Sequence, residues 1–461
     1  MIVFAALAFA SSFEPLGWWL GAPLGYALLL RKLVSSSSTP KLYLHVFLFA
    51  FLSAGVTLIW AGKYVGLLPL FFLALLHGLF YLPLATLRRY TANVLWFIPA
   101  LLLIEEIRAR FPFSGFSWMR IAFSQADSPY ISVVSVGGVS LLSLWVLMIA
   151  YLLTAVTFRK VAVLLLIILA PTLLSNSYSP TEKISYAGIQ GNTPSVGIGF
   201  NDRAKAVFNL HVSTTMDLIS EPPDLIIWPE NAIDVDPYGN PSVLSAIESV
   251  TASFSAPLIA GAVTRNTGQL ENVSIMYDVS GEVVSVYSKQ YLTPFGEYIP
   301  LRGIARIISP YVDSVSDFSS GSSVDIHRVN SMNVAPVICY ELLSDSLVRN
   351  AADKSDALVV QTNSATFAGT SESAQQLAIT RIRAVENARE IVSISTIGIS
   401  AHIDINGNVL SRTDEDVRAI LEGELQGVAT RTLSSRLGAM ATPLTLILSL
   451  FPLIVRRIRR S

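Results

Sequence analysis

The sequence predicts two parts: a bundle of about eight membrane-crossing helices and, between the seventh and eighth, a layered α/β domain facing away from the cytoplasm. Three observations carry that expectation. Only 14% of the 461 residues are charged and 52% are hydrophobic, with a mean hydropathy of +0.54, whereas soluble domains carry about a quarter charged residues. Apolar runs recur through the first 177 residues and once more near the end. Between them, in one polar stretch, short β-branched runs alternate with helix-like ones, the pattern of a layered α/β domain.

The apolar runs are Met1–Ser12, Leu16–Leu30, Leu44–Ala61, Val65–Ala85, Val94–Ile107, Ile131–Val156, Val161–Leu174 and Ala441–Val455. A crossing helix needs about 20 apolar residues, and several runs fall short of that, the first most of all. That first run lacks a basic leader and passes almost directly into the second, so it reads as a membrane helix and not as a cleavable signal peptide. With the N-terminus in the cytoplasm and eight crossings, the inner loops hold Arg31, Lys32 and Lys41, then Arg88 and Arg89, then Arg159 and Lys160. The inner tail holds Arg456, Arg457, Arg459 and Arg460, while the outer loops hold Lys63, Arg108, Arg110 and Arg120. This is the positive-inside pattern. Seven or nine crossings would put one end of it on the wrong side.

The expected layout is therefore residues 1–176 as helices one to seven, 177–435 as an extracytoplasmic domain, and 436–461 as the eighth helix with a basic cytoplasmic tail. Both termini are cytoplasmic in this reading. Glu105 and Glu106, at the outer end of the fifth run, are unusual at membrane depth and read as structural partners of Arg108 or Arg110.

Within the polar segment the strand candidates are Ile184–Ile189, Leu225–Trp228, Leu258–Val263, Ser274–Asp278, Glu282–Tyr287, Val334–Cys339, Ala357–Gln361, Ile391–Ser395 and Ser400–Ile405. Helix candidates are Arg203–Ile219, Pro241–Ser253, Glu341–Ala352 and Glu372–Arg389. Ser280-Gly281 and Asn406-Gly407 are hairpin turn signals. No internal repeat is visible, and Ser35–Ser38 is the one low-complexity patch.

Cys339 is the only cysteine. It has no partner for a disulfide and no companions for a cysteine metal site, so it is either a small buried hydrophobe or a nucleophile. It closes the apolar run Val334–Cys339, and a strand end feeding a helix start offers backbone N–H groups that lower a thiol pKa. Glu230, after Leu225–Trp228 and Pro229, is either a base for that thiol or a solvated loop acid. Lys289 is either a cation for a tetrahedral oxyanion or an ordinary surface lysine, and Glu297 is similarly open. His45, His77, His211, His327 and His402 form no metal-binding spacing, so no catalytic metal or cofactor is expected. A net charge of −1 gives no electrostatic argument for nucleic acid.

Taken together, Trp228-Pro229-Glu230, Lys289 followed by Thr293-Pro294-Phe295-Gly296-Glu297-Tyr298-Ile299-Pro300, and Ile338-Cys339-Tyr340-Glu341 resemble the Glu–Lys–Cys triad of the nitrilase superfamily. More specifically they are similar to its membrane-bound branch, the apolipoprotein N-acyltransferases. Gln190-Gly191-Asn192, Thr362-Asn363, Gln375-Gln376-Leu377, Arg381–Glu386, Phe111–Trp118 and Ser124–Asp127 extend the likeness over nearly the whole chain. The resemblance implies an αββα sandwich on eight membrane helices. It implies Cys339 as nucleophile, Glu230 as general base, Lys289 as oxyanion stabiliser, and Glu297, Tyr340 and Glu341 as supporting residues. Phe200, Asn363, Phe295 and Tyr298 are implied as substrate contacts.

The implied activity moves an acyl chain from a membrane phospholipid, through a thioester on Cys339, to the α-amine of a diacylated apolipoprotein's N-terminal cysteine. The implied protein is an integral monomer of the bacterial inner membrane with no nucleic-acid partner. Two departures touch substrate contacts more than the triad: the usual tryptophan near Asn192 is missing, and Ser364–Gly369 replaces an Asp-Ala-Trp-Phe-Gly sequence. They suggest a divergent, actinobacterial-type branch. The stretch Tyr298–Tyr311, with Ile299, Leu301, Ile304, Ile307 and Ile308, reads either as an arm lying in the membrane interface or as a segment packed on the domain. Competing functions are a membrane-tethered amidase hydrolysing a small amide, with the same triad, and a transporter carrying an inactive nitrilase-like binding domain. The intact triad and the scarcity of charge within the apolar runs argue against the transporter.

Overall fold

The computed structural model describes the chain apart from residues 37–39, 64–65, 156, 175–178, 195, 197–203, 267, 309–311, 314 and 459–461. Phe200, Arg203, Tyr311, Arg459 and Arg460 lie outside the described residues. The chain divides into two compact units, Met1–Asn176 with Thr432–Ser461, and Ser177–Arg431.

The first unit begins with α1 (Ile2–Ala10), α2 (Gly21–Ser35), α3 (Pro40–Thr57), α4 (Leu67–Leu87), α5 (Phe97–Arg108), α6 (Val134–Leu153) and α7 (Phe158–Leu169). Every apolar run overlaps a helix, but the boundaries shift: α2, α3 and α4 are as long as their runs, the helix over Ala441–Ile458 is longer, and α1, α5, α6 and α7 are shorter. Among the described residues four helices are long and apolar enough to cross a membrane: Pro40–Thr57, Leu67–Leu87, Ile131–Leu153 and Leu433–Ile454. By contrast α1 has 9 residues, a rise of about 14 Å against a hydrocarbon core of about 30 Å. Local chemistry moves the starts of others. Turns around Pro15 delay α2 until Gly21, and the run from Val94 opens with a 3₁₀ turn before α5.

The acidic pair in α5 is buried, and the expected Arg110 is one partner of Glu106; Arg120 is a second, unexpected one. Glu106 accepts from Arg110 (2.5 Å), whose side chain is 58% exposed, and from Arg120 (2.5 Å), which is 1% exposed. Glu105 accepts from Ile121 N (2.7 Å) and from Ser143 Oγ (2.5 Å). Arg108 donates to Met119 O (2.8 Å) and faces His77 (3.1 Å). The Arg120 contact is the consequential one, since a buried charge without its partner costs about 3–5 kcal/mol and an exposed pair contributes about 1 or less.

The second unit runs β1 (Pro180–Gln190), α8 (Ala206–Leu218), β2 (Leu225–Ile227), α9 (Pro241–Phe254), β3 (Leu258–Asn266), β4 (Gln269–Tyr277), β5 (Val283–Ser288), α10 (Arg302–Ile308), β6 (His327–Val329), β7 (Met332–Ile338), α11 (Asp345–Asp353), β8 (Ala357–Thr362), α12 (Glu372–Asn387), β9 (Ile391–Ser395), β10 (Ala401–Ile403), β11 (Val409–Arg412) and β12 (Ala419–Val428). The chain then returns to the first unit as α13 (Leu433–Leu437) and α14 (Ala441–Ile458).

The strands form two six-stranded sheets, ordered β12-β1-β2-β3-β4-β5 and β11-β10-β9-β8-β7-β6. Each has three parallel strands at its centre, β1-β2-β3 or β7-β8-β9, with antiparallel strands outside them. The sheets thus share one topology although the sequence shows no repeat. They pack face to face through Ile184, Leu225, Ile227, Ile259, Val334, Val359, Val392 and Ile394, each buried aliphatic stabilising by about 1.5–3 kcal/mol. The approach is close: a Cβ on Gly188 would fall 2.1 Å from Ile394 Cδ1. Helices α8 and α9 cover the outer face of the first sheet through Phe208, Val243, Ile247 and Val250, and α11 and α12 pack on the second. The layers are α-β-β-α.

Both hairpin signals sit between paired antiparallel strands, β4–β5 and β10–β11, with Gly281 and Gly407 at φ 83° and 81°. Three strands lacked a sequence signal. β6 is three residues long, β11 alternates half-buried and exposed positions, and β12 is defined by pairing with β1 across the domain. The helix expected over Glu341–Ala352 is split instead. A 3₁₀ turn over Cys339–Leu343 ends at Ser344, whose hydroxyl accepts from Leu347 N and starts α11.

Candidate active site

Four chain segments leave the sheets and converge. β2 ends at Ile227 and the chain continues through Trp228 to Glu230. Trp228 N donates to Ile259 O (2.8 Å) and its ring N–H to Thr215 Oγ1 (3.0 Å), while Gln361 Nε2 donates to Trp228 O (2.6 Å) and Thr396 Oγ1 to Glu230 O (3.1 Å). Gly261 on β3 makes room for this segment, since a Cβ there would lie 2.4 Å from Pro229 O. Glu230 is thereby fixed from both sheets.

Lys289 follows β5. Its N donates to Asn272 O (2.8 Å), and its side chain is 1% exposed. The ammonium donates to Glu230 Oε1 (3.2 Å) and to Glu297 (2.9 Å to Oε2, 3.0 Å to Oε1). Asn272, in β4, joins the same carboxylates by donating from Nδ2 to Glu230 Oε1 (2.8 Å) and Glu297 Oε1 (2.7 Å). Thr293 N donates to Glu297 Oε2 (2.8 Å). Burial works against the charged form of Lys289, yet Glu230 and Glu297 together raise its pKa above the usual lysine range. Burial likewise opposes ionised Glu297, and the Lys289 ammonium and the donors around it hold its carboxyl below the usual range.

Cys339 comes directly after β7 at φ 47°, a left-handed conformation uncommon outside glycine and concentrated at functional sites. Glu341 holds the turn. It is fully buried, accepts from Ile338 N (2.8 Å) on one oxygen and, on the other, from Tyr287 OH (2.7 Å), Gln290 N (2.7 Å) and Tyr291 N (3.3 Å). One carboxylate thus ties the Cys339 turn to the segment carrying Lys289. Tyr340 stacks on Tyr291, with centroids 5.4 Å apart and planes 8° apart. Gln376 Nε2 reaches Cys339 Sγ at 3.6 Å. Burial raises the thiol well above its ordinary pKa; the charge of Glu230 adds to this and Lys289 opposes it. The thiol is therefore protonated at neutral pH and needs a base to attack.

The structure brings Glu230, Lys289 and Glu297 into direct contact and places Cys339 in their field. Neither the solvated-acid reading of Glu230 nor the surface reading of Lys289 survives, since Glu230 is 5% exposed and Lys289 is 1%. The other residues scatter. Asn363 follows β8, whose Gln361 pairs with Ile338, so it lies at the same sheet edge as Cys339. Its Oδ1 accepts from Ala365 N (3.0 Å), and its Nδ2 is buried without a hydrogen-bond partner among the described residues. Phe295 is 54% exposed and Tyr298 half-buried. Phe200 is not among the described residues. In the arm, Ile299, Ala305 and Val312 form a small cluster while Leu301, Ile304 and Ile307 are exposed.

Two residues gained no role from sequence reasoning. Asn272 gives no signal beyond being an inward polar residue in a strand. Gln376 lies on the α12 face that the Gln375-Gln376-Leu377 motif marks, without any indication that it meets sulfur.

Two stacked sheets with a carboxylate, an ammonium and a thiol at one edge define a carbon-nitrogen hydrolase domain, and the family model of that description matches residues 189–433. The model for the apolipoprotein N-acyltransferase N-terminal domain matches residues 5–152. Proteins named apolipoprotein N-acyltransferase are similar along much of the chain. That of Mycolicibacterium smegmatis is 29% identical, covering 97% of this chain and 83% of its own. Those of Vibrio parahaemolyticus and Vibrio vulnificus are 30% and 31% identical, covering 71% and 78% of this chain and 68% and 74% of their own. The chain belongs to the apolipoprotein N-acyltransferase family.

Proposed function

We propose that this enzyme transfers an acyl chain from a membrane phospholipid to the α-amine of an apolipoprotein's N-terminal diacylglyceryl-cysteine, through a thioester on Cys339. The observation that carries the reading is the buried Lys289 ammonium clamped by Glu230 and Glu297 beside a raised, protonated thiol. Glu230 takes the thiol proton and the thiolate attacks the ester carbonyl. An ammonium has three N–H bonds. Two of Lys289's are engaged by the carboxylates, and the third, with the N–H of Tyr340, stabilises the oxyanion. The C–O bond breaks, and the lysophospholipid leaves with the proton that Glu230 held. The acceptor amine then attacks the thioester, the C–S bond breaks, and an amide forms. Glu297, Asn272 and Glu341 hold the geometry, and Asn363, Phe295, Tyr298 and Phe200 contact substrate.

Mass spectrometry of the enzyme incubated with phospholipid alone tests this. A fatty-acyl adduct on Cys339, discharged as amide by a diacylglyceryl peptide, is the expected result. Turnover by a protein that never carries the adduct would replace the two-step scheme with direct transfer. Hydrolysis of small amides is disfavoured because the matched N-terminal domain belongs to acyltransferases.

The same reading makes the protein integral to the bacterial inner membrane, with eight crossings, cytoplasmic termini and the catalytic unit outside. Four long apolar helices and the placement of basic residues support it. Tethering at both ends confines the catalytic unit to the surface where both substrates are anchored, which raises their effective concentration. A reporter fused after Ser435 is expected to report the extracytoplasmic side; a cytoplasmic signal would refute this orientation.

A further inference from the structure

A cleft opens between the turn Ser364–Gly369 and the two segments Ile397–Gly398 and Glu415–Asp416, with Ser373 on its wall. It is a built feature. Ile399 N donates to Ser373 Oγ (2.7 Å), Asp416 N to Ile397 O (2.8 Å), and a Cβ on Gly398 would lie 2.4 Å from Ser373 Oγ.

Next in sequence to Ser373 of the cleft wall is Glu372, the first residue of α12 and only 4% exposed. An acidic residue at a helix start is ordinarily explained by the helix dipole. That account does not cover Glu372, whose Oε2 is buried with no hydrogen-bond partner among the described residues. The side chain has a hydrogen bond with Ser364, which lines the cleft. One turn further along the same helix face, Gln376 reaches the sulfur of Cys339. The charged or titratable groups acting on Glu372 are Glu415 at the cleft and Glu230 at the triad, and Glu372 in turn acts on Cys339. Glu372 is thus linked to the cleft through Ser364 and Glu415, and to the thiol through its charge.

The acyl-transfer reading, on which this rests, leaves one proton without a carrier. The acceptor α-amine has a pKa near about 7.7–8.0 and arrives mainly as ammonium at neutral pH. It must lose one proton before it can attack and a second after it has attacked. Glu230 can carry only the second, returning it to the departing sulfur.

We infer that this cleft receives the acceptor's α-ammonium and that the Glu372 carboxylate takes its first proton. The amine nitrogen then attacks the thioester carbon and the C–S bond breaks. Glu230 passes the nitrogen's surplus proton to Sγ, and Glu372 releases its own to solvent past Glu415. Atoms and charge balance without another reagent. The carboxylates Glu372, Glu415 and Asp416 attract an ammonium and repel a phospholipid phosphate, which separates the two substrates by charge. Burial, reinforced by Glu415 and Glu230, pushes the Glu372 carboxyl up to about 7, close to the pKa of the group it serves.

The test separates the half-reactions in the full-length enzyme. Glu372→Gln is expected to acquire the acyl adduct from phospholipid no more slowly than wild type, since it removes a charge that raises the Cys339 thiol. Discharge of that adduct by a diacylglyceryl peptide should slow at least about tenfold at pH 7. The deficit should shrink toward pH 9, where the amine is supplied deprotonated. Glu372→Asp, which keeps a carboxylate, should recover part of the rate. Equal slowing of both half-reactions, a deficit that does not change with pH, or wild-type discharge would each overturn the assignment. Should Glu372→Gln fail to accumulate, Glu415→Gln carries the same test, with a smaller selective loss in discharge expected and none overturning the route. A wild-type enzyme that forms no adduct overturns the thioester reading itself, a result distinct from all of these.

Discussion

Cys339→Ala is expected to lower kcat/KM for acyl transfer by a factor of about 10⁴ or more, equivalent to about 5.5 kcal/mol of transition-state stabilisation. The size follows from the two-step scheme: without sulfur there is no thioester, and the acceptor meets only an unactivated ester. Cys339→Ser should fare little better. The site already raises a thiol by burial and by the charge of Glu230, and a hydroxyl starts several pKa units higher. The fold should tolerate both changes. The thiol's recorded polar contact is the 3.6 Å approach of Gln376, so thermal unfolding in detergent should shift by no more than about 1 kcal/mol. Full transfer by Cys339→Ala would remove Cys339 from the mechanism.

Lys289→Met is the second large effect, and it should strike activity and stability together. The substitution removes the cation but leaves Glu230 and Glu297 buried, at 5% and 8% exposure, and an orphaned buried charge costs about 3–5 kcal/mol. The pH dependence should change sign. In the wild type Glu297 is held below its usual range, so its contribution is present above the unfolded carboxyl pKa of about 4.3 and is lost as pH falls through the folded value. In Lys289→Met burial, the largest influence, is opposed only by the hydrogen bonds from Asn272 and Thr293, so the folded pKa should move above the unfolded one and stability should increase on mild acidification. Adding Glu297→Gln should restore much of the stability without restoring transfer. A Lys289→Met protein as stable as wild type across pH 5–8 would show that the cluster is not desolvated as described.

The buried cluster also explains which parts of the site could be read in advance. Glu230, Lys289 and Cys339 are legible because each follows a β-branched run and so lies where a strand ends. Their separations in sequence say nothing about distance; the resemblance to a known triad supplied the grouping. Asn272 and Glu372 escaped notice because their importance is relational. Asn272 matters through two carboxylates 42 and 25 residues away, and Glu372 through an oxygen left without a partner among the described residues.

The fold divides in the same way. Strands β3, β8 and β9 and helices α9 and α12 have local patterns, and their boundaries fall within a few residues of those patterns. β12 has none, because its conformation is set by pairing with β1 from the other end of the domain. In the first unit, hydropathy marked where helices lie but not where they begin and end, since the turns around Pro15 and the 3₁₀ turn from Val94 fall inside runs that composition alone treats as continuous.

Sequence by itself determined the two-part character of the chain, the solitary thiol and the strand ends that bear the acid, the cation and the sulfur. These follow from composition and short-range periodicity, which act over a few residues. Only the tertiary structure decided that Lys289 is buried between two carboxylates, that Cys339 takes a left-handed conformation, and that Arg120 is the buried partner of Glu106. Desolvation and charge pairing depend on what surrounds a group in space, and chain order does not encode that directly.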